Sequence, residues 1–233
     1  SSTHFLNNHF APHPPELQTF FRELAAQVSP EQFKQRVDAF ADLRALVLGD
    51  VIFDRYDTVA VQGLTSKNRI LSARKLGEEM HAGGALATFR HLRRFTPQVK
   101  LVSLAGREPW VDEELNRHLA PEENHLLRLD DFTTIIKQRF VEPQCEGQEL
   151  NKLFSVNLID AEPPSAAVEK CLIERLAPLL QEVDFVLVMD FGHGVMSPRL
   201  RAFIQEEAPF LCLNCQTNSN NYGFNLINRQ YQR

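Results

Sequence analysis

From residue 45 onward the apolar positions fall into short, nearly continuous runs separated by longer stretches in which they recur every three or four residues. A run that is apolar at every position suits a strand buried on both faces, whereas a spacing of three and four lays one apolar stripe along a helix. ALVLGDVIF (45–53), VKLVSLAG (99–106), DFVLVMD (184–190) and PFLCLN (209–214) therefore read as strands. GGALATFRHLRRF (83–95), VDEELNRHL (111–119), PSAAVEKCLIERLAPLLQEV (164–183) and SPRLRAFIQEEA (197–208) read as helices, the last with Ser197 as N-cap and Pro198 just inside. Their alternation predicts an α/β fold, a parallel sheet covered by helices on both faces. Two segments, 56–84 and 133–160, are rich in Thr, Val, Ile and Phe but broken by Gly, Asn and Lys, and predict antiparallel excursions from that sheet.

Ahead of residue 45 the texture is helical. Leu17, Phe20, Phe21, Leu24 and Val28 share one helix face, and Ser29 with Pro30 opens a second helix. The first dozen residues have no period and read as a leader. The expected organisation is a leader and helical hairpin over 1–44 and an α/β domain over 45–233, with a small β lid at about 56–80.

Composition narrows the function classes. The chain has 233 residues, 43% of them hydrophobic and 24% charged, which is ordinary for a globular protein. A net charge of -5 argues against broad nucleic-acid binding, which needs a concentrated basic surface, but leaves a small anionic ligand open. No apolar run approaches the roughly 18 residues of a membrane span, and the N-terminal stretch lacks the build of a signal peptide, so a cytoplasmic protein without a membrane partner is expected. Four cysteines do not make a disulfide framework in a chain of this length; Cys145 and Cys171 have no metal spacing. Cys212 and Cys215 form a C-x-x-C without a second ligand pair, and on an extended strand they point to opposite faces, so no metal site is expected.

Ligands of open parallel sheets bind beyond the carboxyl ends of the strands, which makes the residues closing the strands the chemical candidates. Asp50 and Asp54 close the first strand, Asp190 closes 184–190, and Asn214 closes 209–214. Three strands ending in polar groups suit a shared cleft, although a carboxylate at a strand end also serves as a plain cap for the next turn or helix. After Asp190 comes FGHG, where two glycines let the backbone approach a ligand and His193 is either a loop residue or an acid or base. Gly83 and Gly84 leave backbone N–H groups uncovered at a helix start, suited to a phosphate or a sugar hydroxyl, or they merely permit a tight turn into the helix. Neither a P-loop nor a dinucleotide fingerprint is present, which weighs against a Rossmann-like oxidoreductase. Lys137 and Arg139 share a face of a predicted strand and either hold an anionic ligand or belong to a solvated face.

In this order, LGDVIFDRY, HAGGALATF, TTIIKQRFV and VDFVLVMDFGHG resemble the PfkB/ribokinase superfamily of carbohydrate kinases, most nearly the heptose-phosphate kinase half of ADP-heptose synthases and related nucleotidyltransferase-linked kinases. The likeness runs from about residue 45 to the C-terminus and rests on order and spacing. It implies a ribokinase-like sheet and a kinase that, in its complete form, transfers the γ-phosphoryl group of ATP, with Mg²⁺, to a hydroxyl of a sugar or sugar phosphate. By this resemblance Asp54 binds sugar hydroxyls, Gly83 and Gly84 are the di-glycine opening the substrate-binding helix, and Asp190 is the aspartate near the phosphate-transfer region. Asn214 falls on the nucleotide side. The excursion at 56–80 falls at a β lid that closes over the sugar and often builds a homodimer, and a nucleotidyltransferase is an implied partner domain. Carboxylates at the cleft end, Asp50 and Asp54, suit the array of hydroxyls on a sugar, and Lys137 and Arg139 suit a phosphate already on the substrate.

Two departures qualify the expectation. The Asn that such kinases carry shortly after the di-glycine is replaced by Ala87 or Thr88, depending on alignment, and no Gly-Ala-Gly-Asp motif, the family's catalytic base, occurs. Phosphoryl transfer needs positioning and charge stabilisation together. The expectation is therefore that no catalytic residue lies in this chain, which is a fragment of a longer kinase. The alternative is a non-catalytic module that binds a sugar phosphate, or scaffolds, in association with a nucleotidyltransferase.

Overall fold

The structure is a computed structural model that describes residues 14–143, 150–160 and 162–216. The expected leader, Cys145 and the stretch from 217 to 233 lie outside the described residues. The chain divides into two units, Ser1–Asp42 and Leu43–Arg233. In the first, helices α1 (Pro15–Gln27) and α2 (Pro30–Asp38) are followed by a 3-10 turn at Ala39–Asp42. The start of α2 is a complete capping box: the Ser29 hydroxyl accepts from Gln32 N at 3.2 Å, and the Gln32 side chain accepts from Ser29 N at 3.0 Å.

The second unit is built on strands β1 (Arg44–Gly49), β4 (Gln98–Val102), β9 (Phe185–Asp190) and β10 (Leu211–Cys215), all parallel in the order β10-β9-β1-β4. Successive residues of a strand point to opposite faces, and β1 shows the consequence. Ala45 and Val47 pack with Leu86 and Phe89 of helix α3 (Gly84–Leu92) and with Val111 and Leu115 of α4 (Pro109–Asn116). Leu46 and Leu48 pack instead with Leu172 and Leu176 of α5 (Ala166–Leu180) and with Leu200 and Ile204 of α6 (Pro198–Glu207). The near-continuous apolar runs are thus strands covered on both faces. After β4 the chain forms β5 (Leu104–Gly106), which pairs in parallel with β6 (Leu127–Leu129) in a separate two-stranded sheet.

The excursions form one second sheet. Strands β2 (Val51–Leu64) and β3 (Leu71–Gly83) make a long antiparallel hairpin, and β7 (Ile135–Pro143) pairs with β8 (Leu150–Leu158) in the same way. The predicted run 45–53 is broken at Asp50, so β1 ends at Gly49 and the hairpin strand β2 begins at Val51 rather than near residue 56. Asp54 accordingly lies inside β2 and does not close the first strand. The two hairpins are also not independent: β2 and β7 pair in parallel, giving the order β3-β2-β7-β8. No local pattern announces that pairing, because the registered residues Ile52 and Ile135 are 83 residues apart along the chain.

Candidate functional site

From β1 the chain runs outward to β4, and it returns later to place β9 on the other side of β1. Helices leave the two strands on opposite faces, so a crevice opens beyond their carboxyl ends, the position where open α/β sheets bind ligands. The site is built around it.

Asp50 fills the break between β1 and β2. Gly49 makes the break possible: its φ is 151°, and a Cβ there would lie 2.0 Å from the Met189 carbonyl oxygen. Ser103, fully buried, bridges the gap by donating from Oγ to Gly49 O at 2.6 Å and accepting from Val51 N at 3.2 Å. The Asp50 side chain is itself fully buried. Its Oδ2 accepts from the backbone N–H groups of Phe191 at 2.9 Å and His193 at 3.3 Å, and Oδ1 accepts from Val195 N at 3.3 Å. Asp50 thereby holds the loop after β9 in place. Burial, and secondarily the nearby Asp190 charge, push its carboxyl up to about 7, against the lowering effect of those three hydrogen bonds. Asp190, also buried, accepts from Gly192 N at 3.0 Å.

The di-glycine lies against both aspartates of the β1–β2 segment. Gly84, with φ 55°, lets α3 start so close that a Cβ would meet Asp50 O at 2.3 Å, and Ala85 N donates to that oxygen at 2.8 Å. A Cβ on Gly83 would lie 2.4 Å from Asp54 Oδ2. Close backbone approach and positive φ require glycine at Gly84, whereas a side chain at Gly83 would displace the Asp54 carboxylate.

Asp54 pairs in register with Lys137 of β7 and His81 of β3, so the three side chains share one face of the lid. Tyr56 and Arg139 join that face one pair further along. Arg139 Nη1 donates to Asp54 Oδ1 at 2.5 Å, and its guanidinium stands 5.3 Å from the centre of the Tyr56 ring, which meets His81 edge-on at 5.8 Å. Lys137 is half-buried and forms no ion pair among the described residues. Burial lowers its pKa, and the Arg139 charge adds to that effect while Asp54 and Asp50 oppose it. His193 Nε2 is buried without a hydrogen-bond partner among the described residues. Burial, then the Lys137 charge, lowers this imidazole to about 4, so it is neutral near pH 7.

Asp50, Asp54, Gly83, Gly84, Lys137, Arg139 and Asp190 are therefore gathered at one end of β1 and β9 and on the facing side of the lid. Asn214 is not among them: it is exposed on the edge strand β10, in register with Met189. Cys212 and Cys215 lie three apart on β10, and burial raises the Cys212 thiol. Tyr56 and His81 were missed in the sequence, although the same two-residue alternation that linked Lys137 to Arg139 links Asp54 to Tyr56. Among the described residues no group of three or more His, Cys, Asp or Glu could hold a metal ion. A hollow of about 530 Å³ lies at the opposite end of the sheet, lined by Arg44, Lys100 and Glu182 among others. There Lys100 pairs with Glu182 and Arg44 with Asp184, so its charges are already matched.

No family model matches the chain. It is 31% identical over 161 residues to bifunctional protein HldE of Actinobacillus pleuropneumoniae, covering 67% of this chain and 32% of that protein. It is 28% identical over 173 residues to bifunctional protein HldE of Shewanella denitrificans, covering 73% of this chain and 34% of that protein. The chain thus spans about a third of the length of the curated relatives it matches. Among solved structures, the ribokinase of Giardia lamblia superposes with a TM-score of 0.51 at 15% identity, over 77% of this chain and 57% of that one. With its parallel sheet and these likenesses in view, the chain has a ribokinase-like α/β fold and is similar in sequence to about a third of the bifunctional HldE proteins.

Proposed function

We propose that the site binds a sugar or sugar phosphate, and that a protein of the relatives' greater length uses it to present a sugar hydroxyl to the γ-phosphoryl group of ATP. The observation that carries this reading is the pairing of Asp54 with an unmatched, half-buried Lys137 at the carboxyl end of the sheet, beside the unpartnered Nε2 of His193. An ionised carboxylate accepts hydrogen bonds from sugar hydroxyls. Lys137 and Arg139 offer positive charge to a phosphate already on the substrate, and neutral His193 offers one further hydrogen bond. Asp50 acts indirectly, by holding the 191–195 loop against the crevice.

ATP and Mg²⁺ are part of this reading only for the longer protein. The residues gathered in the crevice are assigned the sugar side, and Asn214 is the candidate on the nucleotide side. We place a partner nucleotidyltransferase in the same reading, together with a homodimer formed through the lid, whose face opposite Asp54 leaves Phe154 and Val156 exposed.

The test is calorimetric titration of the chain with a panel of hexose and heptose phosphates, alongside ATP-consumption assays of the chain and of any longer product of its gene. Saturable binding that Asp54→Ala weakens at least tenfold, with turnover only in a longer product, is the expected result. Binding without turnover in either would replace the kinase with a recognition module. Absence of binding to every sugar and sugar phosphate would overturn the reading.

A further inference from the structure

At the far end of α3 from the di-glycine, roughly 13 Å along the helix axis, lies a second concave site. It is a hollow of about 380 Å³ lined by Ala82, Ala87, Arg90, His91, Arg93, Arg94, Arg117 and His118. Four guanidiniums and two imidazoles line it and no carboxylate does, in a chain whose net charge is -5. Two of the arginines are paired with acids that are not among the lining residues: Arg93 with Glu123 at 2.9 Å, and Arg117 with Glu113 and Glu114 at 2.5 and 2.6 Å. Arg90 and Arg94 form no ion pair among the described residues. Basic side chains at the end of a helix offset its dipole, which accounts for Arg90 and His91. It accounts equally for Arg117, the C-cap residue of α4, but not for two helix ends converging on one hollow. The charges converge: after burial, it is the Arg90 charge that most lowers the half-buried His118, with Arg117 adding to it.

We propose that this hollow binds a compact polyanion, a small molecule carrying two or more phosphate groups. Guanidiniums present paired N–H donors that match phosphate oxygens, and several of them around one concavity favour a ligand with more than one phosphate. The volume is within the range of small-ligand sites. The site is distinct from the Asp54–Lys137 cleft and does not depend on the function proposed for it.

Pyrophosphate is the probe. Titrated into the 233-residue chain at low ionic strength, it binds saturably, and raising the salt from about 0.05 to 0.5 M weakens binding, as expected where the Debye length shortens. Measured in a Lys137→Gln background, so that the Asp54–Lys137 cleft makes no phosphate contact through that residue, Arg90→Gln/Arg94→Gln weakens binding at least tenfold with an unchanged melting temperature, because both side chains are exposed. No saturable binding in that background, or binding equal with and without the double substitution, would each overturn the proposal.

Discussion

The three aspartates of GDVIFDRYD, within eight residues of one another, have three different physical roles. Asp50 is a buried clamp on a loop. Asp54 is an acceptor on the crevice side of the lid. Asp57 points to the opposite face, where it is 2% exposed and accepts from Gln138 Nε2 at 2.7 Å and pairs with Lys75 at 2.8 Å. Although burial tends to raise it, those partners and Arg55 hold the Asp57 carboxyl below its ordinary value. Asp50 forms no ion pair among the described residues, and its raised pKa is a statement about stability. An acid with a native pKa near 7 and an unfolded one near 3.8 favours the native state most when protonated. Its contribution is full below the unfolded value and is lost as pH rises towards 7. Asp50→Asn removes that titration and replaces one acceptor oxygen by a donor facing N–H groups, at a cost of about 1–3 kcal/mol. Urea denaturation from pH 4.5 to 7 should show the variant's deficit largest at the acid end and shrinking towards neutrality; a constant deficit would refute the assignment. His193 has the opposite sign: its lowered pKa favours the native state above about 6.5 and loses that contribution as pH falls towards 4. Its ring should remain neutral at pH 5.5 in an NMR titration.

At the scale of the element, the glycines decide where strands and helices may meet. Gly49 sits where β1 ends against the β9 backbone, so Gly49→Ala combines a disfavoured φ with a backbone clash that no side-chain rotation relieves. The expected loss is about 3 kcal/mol or more, read from denaturant midpoints. Gly77→Ala on the lid, with nothing within 4 Å of the added carbon, is expected to change stability by less than about 0.5 kcal/mol. Helix starts were legible because capping is local: Ser197 accepts from Leu200 N at 3.1 Å, and Ser165 accepts from Val168 N at 3.4 Å. The break at Asp50 was not, since Val and Ile continue on either side of it and only the buried Ser103, 53 residues later, supplies the hydrogen bonds that bridge it.

At the scale of the molecule, β1 separates two apolar layers. Leu46→Ala on one side and Leu86→Ala on the other should each cost about 2–5 kcal/mol. Because the two side chains belong to different clusters, the double variant should equal the sum within about 0.5 kcal/mol; strong coupling in the denaturation data would contradict two separate layers. The sequence by itself determined the α/β class, most helix starts and the polar residues at strand ends, because hydrophobic period and capping are properties of neighbouring residues. It also carried, through the order of its motifs, the likeness to ribokinase-type proteins. Only the tertiary structure decided that Asp50 faces a loop 141 residues away while Asp54 faces Lys137 and Arg139. It likewise decided that β2 and β7 join the two hairpins into one lid, and that arginines from α3 and the end of α4 line one hollow. Parallel pairing, close glycine contacts and convergence of charge depend on partners far apart along the chain, and no local pattern of residues encodes which of them will meet.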